Sequence, residues 1–276
     1  MRLSKLHGLG NDFLVLLDDG SSGPVAPERA RALCQRRTGV GADGLIRSER
    51  VDGAVTFELL NADGSGAEMS GNGARCLGLA AARSGWWEDR SKPLVVRAPV
   101  GERRLDWQGG GLDDASLRVA MGEVKPFGVP PELGRHLDGD DSALRWRWMV
   151  EVGNPHAVAL IDGKLPPVEE LQALLGTIEP GGPADVNYEF ATMGPEVGAL
   201  TMVVRERGAG WTQSCGTGSV AAAWAAHQLG WVGTVVTVHN PGGTVQVDLS
   251  EPEARLTGPA TFVASVDLPE PEGAPT

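Results

Sequence analysis

SGNGARCLGLAAA at residues 70–82 and CGTGSVAAAWAAHQL at residues 215–229 decide how this chain folds. Each opens with a glycine-rich elbow: Ser70-Gly71-Asn72-Gly73 in the first, Cys215-Gly216-Thr217-Gly218 in the second. Each elbow runs straight into an alanine-rich helical stretch. The first helix is expected to continue through Ala82 and stop at Gly85, and the second to stop before Gly230, because glycine commonly ends helices. Two elbows of one design point to a site closed by two helix N-termini. One elbow offers a thiol and the other only a hydroxyl.

Outward from the first elbow, residues 2–6 and 13–17 read as short strands around His7-Gly8-Leu9-Gly10-Asn11-Asp12. Residues 27–36 read as a helix with Pro27 near its first turn. A strand at 44–48 follows, then one over Val55–Leu60 that ends in the loop Asn61–Ser65. Segments 93–98, 102–107 and 115–120 are strand-sized and separated by turn residues. Pro126–Arg135 reads as a proline-rich crossover between halves. The second half begins with Trp146–Ile161, which embeds Gly153-Asn154-Pro155-His156. A short helix over 167–175 and strands at Glu189–Ala191 and Leu200–Glu206 lead to the second elbow. Strands at 234–239, 244–249 and 262–267 follow, and the acidic tail from Pro269 is expected to fray.

Each half therefore carries strands, a short Gly/Asn motif, an elbow and one strong helix. This coarse internal echo favours an α+β architecture over a Rossmann unit. It divides the chain into an N-terminal lobe of residues 1–125 plus 262–276 and a C-terminal lobe of residues 126–261.

Composition bounds the partners. The 276 residues, 41% of them hydrophobic, are enough to bury a substantial core. A formal charge of -12 argues against an extended nucleic-acid or anionic-membrane surface. No apolar run reaches transmembrane length, and the opening MRLSKLHGLGNDF has no signal-peptide core. Cysteines at 34, 76 and 215 form no disulfide framework and fit a cytoplasmic thiol state. The five histidines show no metal-ligand spacing, so no metal is expected.

Cys215 precedes a helix start, where unpaired N–H groups and the positive helix end favour a thiolate. The same donors would receive a carboxylate ligand, and a small buried hydrophobe is the plainer reading of a free cysteine. Cys34 and Cys76 lie in helical segments and read as ordinary core. Ser70 alone reads as an N-cap hydroxyl, and Asn61, Asp63 and Ser65 as turn formers. His156 and Glu206 together suit proton relay or the grip of an ammonium group, although each alone reads equally as structural. Arg207 suits a carboxylate because its fork makes paired charge-assisted bonds. Neither GxG element matches a nucleotide-binding fingerprint, and GxSxG is absent.

HGLGNDF at 7–13, GVGADGL at 39–45, NADGS at 61–65, GNGARC at 71–76, GNPH at 153–156, ERGAG at 206–210 and CGTG at 215–218 resemble diaminopimelate epimerase in order and approximate spacing. The resemblance covers nearly the whole chain. It implies a cofactor-independent isomerase of lysine and peptidoglycan-precursor synthesis, cytoplasmic, acting on a small diamino-dicarboxylate. It also implies two related lobes, each a strand-rich sheet around a central helix, facing across a cleft. Homodimer formation is left open. In that family one cysteine removes the α-proton and a second returns one to the opposite face. Cys215 matches the second family cysteine, and His156 and Glu206 match the polar pair near the reacting amino acid. Asn11, Asn61, Asn154 and Asn187 match substrate-binding asparagines, and Arg207 matches the carboxylate-gripping arginine. Gly71, Asn72, Gly216 and Thr217 match the two helix-start anion sites.

Two positions depart from the family pattern. Ser70 stands where the first catalytic cysteine falls, and Trp211 stands where the family usually carries glutamate or another polar residue. A thiol ionises at about 8.5, whereas a hydroxyl needs strong activation by a base. Three readings therefore stand: an epimerase in which Ser70 or water completes the relay, a related racemase or dehydratase, and a diaminopimelate-binding paralogue without useful turnover.

Overall fold

The computed structural model describes residues 1–21, 23–128, 144–178, 186–207 and 209–269. Most of the expected crossover at Pro126–Arg135, and the tail after Pro269, lie outside the described residues. The architecture is mixed α+β and dominated by strands. The chain packs as two units, Met1–Val119 with Pro259–Thr276, and Ala120–Gly258. It passes between them within two strands, a few residues before the boundaries expected at 125/126 and 261/262.

In the first unit, β1 (Arg2–Gly8) and β2 (Asn11–Asp18) form an antiparallel hairpin. Helix α1 (Pro27–Cys34), with Pro27 in its first turn, carries the chain over to β3 (Gly44–Val51), which pairs parallel to β2. Two parallel neighbours cannot be joined by a tight turn, so a crossover is required. The expected strand over Val55–Leu60 is two strands, β4 (Ala54–Thr56) and β5 (Glu58–Asn61). The break has a cause: β4 pairs parallel to β7 (Leu94–Ala98), and the buried Phe57 donates its N–H to Arg97 O at 2.9 Å. The chain changes partner there. After the short β6 (Gly66–Ala67) comes α2 (Gly71–Arg83), then β8 (Gly101–Gly110) and β9 (Asp114–Glu123).

The second unit repeats this order. Strands β10 (Lys125–Gly128), β11 (Leu144–Glu151) and β12 (Pro155–Ile161) are antiparallel neighbours. Helix α3 (Val168–Ile178) crosses to β13 (Asn187–Met193), which pairs parallel to β12. Strands β14 (Ala199–Glu206) and β15 (Gly210–Thr212) return antiparallel, and α4 (Gly216–Gln228) follows. Strands β16 (Val235–Asn240), β17 (Gly243–Asp248) and β18 (Glu253–Asp267) complete the chain. β18 begins earlier than the expected 262 because its first part pairs with β17, while its end pairs with β1.

Helices α2 and α4 are buried on almost every side, as a helix apolar around its whole circumference must be. Each packs on the sheet of its own unit, α2 against β1 and β2, α4 against β12 and β13. Their ends match as well. Gly85 (φ +77°) and Gly230 (φ +71°) take the left-handed conformation. Trp86 and Trp231 then donate back to Ala81 O at 2.8 Å and Ala226 O at 3.0 Å. These bonds satisfy carbonyls that a helix end leaves open. Both stop signals were legible as single glycines.

The loop from Asn61 to Ser65 is closed by Asn61 N–H to Ser65 O at 2.8 Å and Gly64 N–H to Asn61 O at 2.9 Å. Gly64 has φ +84°, and a Cβ there would lie 2.7 Å from Pro27 O at the start of α1. Gly64→Ala is therefore expected to cost about 1–2 kcal/mol from its backbone conformation alone, with the carbonyl contact adding to it. Urea unfolding should show a lower midpoint, and an unchanged midpoint would contradict this account of the loop.

Candidate active site

A helix start leaves four backbone N–H groups without intrahelical partners. In the first unit Ser70, half-buried and extended (φ −142°, ψ 122°), is the N-cap of α2, and its Oγ accepts Gly73 N–H at 3.0 Å. Among the described residues no carboxylate or imidazole bonds to this hydroxyl, and Glu68 is exposed. The N-cap reading of Ser70 is what the geometry displays.

Beside this elbow, the amides of Asn11 and Asn72 are locked together. Asn72 Nδ2 donates to Asn11 Oδ1 at 3.1 Å, and Asn11 Nδ2 donates to Asp43 Oδ2 at 2.9 Å. Arg36 grips Asp12 at 3.1 and 2.8 Å and Asp43 at 2.6 Å, while Lys5 lies 2.9 Å from Asp12. Burial works against a charge on Asp12, yet Arg36 and Lys5 outweigh it and hold the carboxyl below its ordinary range. From the other side, the fully buried Arg75 donates to Asn72 Oδ1 at 2.6 Å, Pro259 O at 3.1 Å and Gly71 O at 3.3 Å. All three acceptors are neutral, and burial pulls the guanidinium down to about 10. Asn61 is bonded within its own turn, Nδ2 to Ser65 Oγ at 3.0 Å. Cys76 is buried in α2, where desolvation pushes its thiol up to about 12, so it is core as expected.

In the second unit Cys215 is the N-cap of α4, with φ −126° and ψ 120°. Its Sγ accepts Gly218 N–H at 3.4 Å and lies 3.4 Å from Thr217 Oγ1. The two elbows thus share one backbone geometry and one i to i+3 capping bond. The Glu206 carboxylate, which accepts Thr212 Oγ1–H at 2.5 Å, is close enough to act electrostatically on the thiol. Burial raises the Glu206 carboxyl above its usual range, with the Thr212 bond and Cys215 opposing. Burial likewise pushes the Cys215 thiol well up, and the Glu206 and Glu189 carboxylates add to the shift. This corrects the expectation of a thiolate favoured by the helix start. Two nearby carboxylates and desolvation outweigh the Gly218 N–H and the Thr217 hydroxyl, leaving a thiol beside a base.

His156 is fully buried and bonded to Glu189, while Glu206 lies within electrostatic reach of the ring. Nδ1 lies 2.6 Å from Glu189 Oε1, and Nε2 lies 2.9 Å from Asn154 Oδ1. The parallel register explains the pairing, since His156 sits beside Asn187 at the start of β13 and Glu189 follows two residues on, on the same face. Asn187, nearly buried, accepts Arg207 N–H on its Oδ1 at 2.9 Å and so fixes the turn that carries the exposed Arg207 side chain. Gly208 lies outside the described residues. Trp211 has a packing role: it lies against Phe190, with centroids 6.0 Å apart, and donates Nε1–H to Gln172 on α3 at 2.7 Å. Gly216 and Thr217 are buried in the first turn of α4, as Gly71 and Asn72 are in that of α2.

The sequence model of the family described as diaminopimelate epimerase matches residues 3–126 and 148–263. The chain is 36% identical over 286 residues to the diaminopimelate epimerase of Desulfitobacterium hafniense, covering 95% of this chain and 96% of that protein. It is 36% identical over 292 residues to the diaminopimelate epimerase of Cupriavidus taiwanensis, covering 97% and 98%. Among solved structures, a probable proline racemase from Agrobacterium radiobacter shares the fold with a TM-score of 0.71 at 19% identity, over 99% of this chain and 94% of that one.

The proximity of thiol and carboxylate makes a signed prediction. Replacing Glu206 by Gln removes an anion that opposes thiolate formation, so the Cys215 thiol should ionise at lower pH. Thiolate absorbance, taken as the difference from Cys215→Ala, reads this midpoint directly. Cys34 and Cys76 do not obscure it, because both are present in the Cys215→Ala reference and cancel in the difference. A midpoint that stays or rises would contradict the electrostatics described.

Proposed function

The chain belongs to the diaminopimelate epimerase family, and from that membership we propose that it interconverts LL- and meso-2,6-diaminopimelate by removal and return of the α-proton. The observation that carries the proposal is the Cys215 thiol capping the start of α4, within electrostatic reach of the Glu206 carboxylate. Glu206 takes the thiol proton, and the resulting thiolate removes the substrate α-proton; in the reverse sense the thiol returns it. The electron pair left behind delocalises into the α-carboxylate. N–H groups of a helix start are fixed donors for that developing charge. Gly216 and Thr217 supply them at one elbow, Gly71 and Asn72 at the other.

In this reading the two lobes enclose the substrate in a cleft, and each elbow serves one face of the α-carbon. Arg207 grips a carboxylate through its guanidinium fork. The free Nδ2 groups of Asn154 and Asn187 bond the polar ends of the substrate, as do the amides of Asn11 and Asn61. No prosthetic group is required if fixed dipoles and desolvation stabilise the carbanion. On the Ser70 face the hydroxyl hands on a proton in relay with water, since no base bonds to it. The role in lysine and peptidoglycan-precursor supply, in the cytoplasm, goes with the substrate.

One observation favours a second reading. A hydroxyl that accepts only Gly73 N–H is a poor acid, and a site with one competent face would exchange the α-proton without inverting the centre. Incubating the protein with LL- and with meso-diaminopimelate in D2O distinguishes the two. Interconversion with one deuterium incorporated per inversion is expected, and Cys215→Ala should abolish both deuterium uptake and interconversion. Deuterium uptake with retained configuration would establish the one-faced site, and a fully active Cys215→Ala variant would sink the base assignment.

A further inference from the structure

Glu189 was absent from the candidate residues read from the sequence. It lies on β13 with its side chain fully buried, Oε1 against His156 Nδ1 and Oε2 without a hydrogen-bond partner among the described residues. Its carboxylate fills the space beneath the first turn of α4: a Cβ on Gly218 would lie 2.6 Å from Oε1 and 3.1 Å from Cγ. A buried carboxylate with one unsatisfied oxygen is expensive, and such groups call for a specific reason.

The internal repeat supplies a control. In the parallel ladder of the first unit Phe13 sits beside Gly44, and in the second His156 sits beside Asn187. Two residues along β3 and β13 come Ile46 and Glu189. Both lie under the second glycine of their elbows, since a Cβ on Gly73 would lie 3.0 Å from Ile46 Cδ1. The same corner of the fold is filled by Phe13 and Ile46 in one unit and by His156 and Glu189 in the other. Packing beneath an elbow is therefore satisfied by an apolar pair, and the fold alone does not require a carboxylate at residue 189.

We propose that Glu189 is a positioning residue that holds His156 as a fixed imidazolium beside the Cys215–Glu206 pair. Both ring nitrogens face acceptor oxygens, Glu189 Oε1 and Asn154 Oδ1, and only a ring with a proton on each nitrogen can donate to both. Glu189 is the counter-ion. The titratable groups that face His156 are Glu189 from β13, Glu206 from β14 and Cys215 from the turn before α4, while β11 places Val150 opposite it. All three are anions when ionised, and among the described residues no cation is paired with Glu189 or Glu206 in competition with the ring. His156 then supplies positive charge or a proton, and Glu206 alone serves as base. The inference rests on the epimerase reading for its catalytic meaning, but not for its geometry.

The test uses the full chain labelled with 15N-histidine, with Glu189→Gln and Glu189→Ile beside the wild type. In the wild type at neutral pH both ring nitrogens of His156 should report as protonated, without substrate. In Glu189→Ile, which copies the residue of the first unit, the ring should hold a single proton while thermal stability is kept or raised. Epimerisation and α-deuterium uptake should fall at least about tenfold in Glu189→Ile. Glu189→Gln keeps an acceptor for Nδ1–H but removes the charge. Its activity should fall less than that of Glu189→Ile, the split expected when the residue acts by holding the ring. A wild-type ring with one proton, or a Glu189→Ile variant with wild-type rate, would overturn the proposal. If the wild type itself neither inverts nor exchanges diaminopimelate, the functional reading fails, and the ring spectra still decide the role of Glu189.

Discussion

The bond from the third residue of each elbow back to its capping atom is the constraint on which the structure depends. Gly73 N–H closes on Ser70 Oγ and Gly218 N–H on Cys215 Sγ. Helices α2 and α4 begin in the interior of their units, where an open N–H cannot turn to water. A capping side chain is then obligatory, and serine and cysteine both meet the requirement geometrically. Because the cap also lies at a helix start, the atom that satisfies the fold stands beside the N–H groups that, in the proposed reading, hold the substrate carboxylate. Fold and chemistry share one position in each unit, so replacing a thiol by a hydroxyl there leaves the helix intact and changes only the proton chemistry.

The surroundings of the two caps differ in charge. Under the first elbow lies Arg75, a buried guanidinium bonded to neutral oxygens, and from its partner Asn72 the bonds run on through Asn11 and Asp43 to Arg36. Around the second lie the buried Glu189 carboxylate, the half-buried Glu206 carboxylate and one imidazole. A thiol at the second elbow is kept protonated beside a base. At the first elbow the nearby cation and amides favour an anionic ligand, but none of them takes a proton from Ser70. One strand order used twice thus carries two unlike elbows, and the difference lies in a few positions: Phe13, Ile46 and Arg75 in the first unit, His156, Glu189 and Glu206 in the second.

Much of this was legible in the sequence for physical reasons. Gly85 and Gly230 announced the helix ends because only glycine takes φ near +75° freely, and Pro27 announced the start of α1. Ser70 read as a cap and Asn61 as a turn former, and both are bonded so. Boundaries failed where a strand changes partner. The split at Phe57 and the long β18 follow from pairings with β7, β17 and β1, which no local pattern encodes. His156 was paired with Glu206 because both stood out from apolar runs near the motifs. Glu189 carried a comparable signal, a lone acid between Tyr188 and Phe190 in a buried strand, but only the parallel register brings it to the imidazole. Arg75 looked like one more residue of a helical stretch. That it is a buried cation among neutral acceptors depends on Pro259, distant in sequence and adjacent in the fold.

The central claim is that the elbows are equivalent as scaffolds and unequal as acids. The most direct measurement is the LL-to-meso turnover rate of Ser70→Cys against wild type, with the melting temperature of each. A thiol at position 70 accepts the same Gly73 N–H and ionises far more readily than a hydroxyl. The account predicts a strong gain in turnover at nearly unchanged stability. A folded Ser70→Cys variant with no gain would contradict it, because position 70 would then not face the reacting carbon.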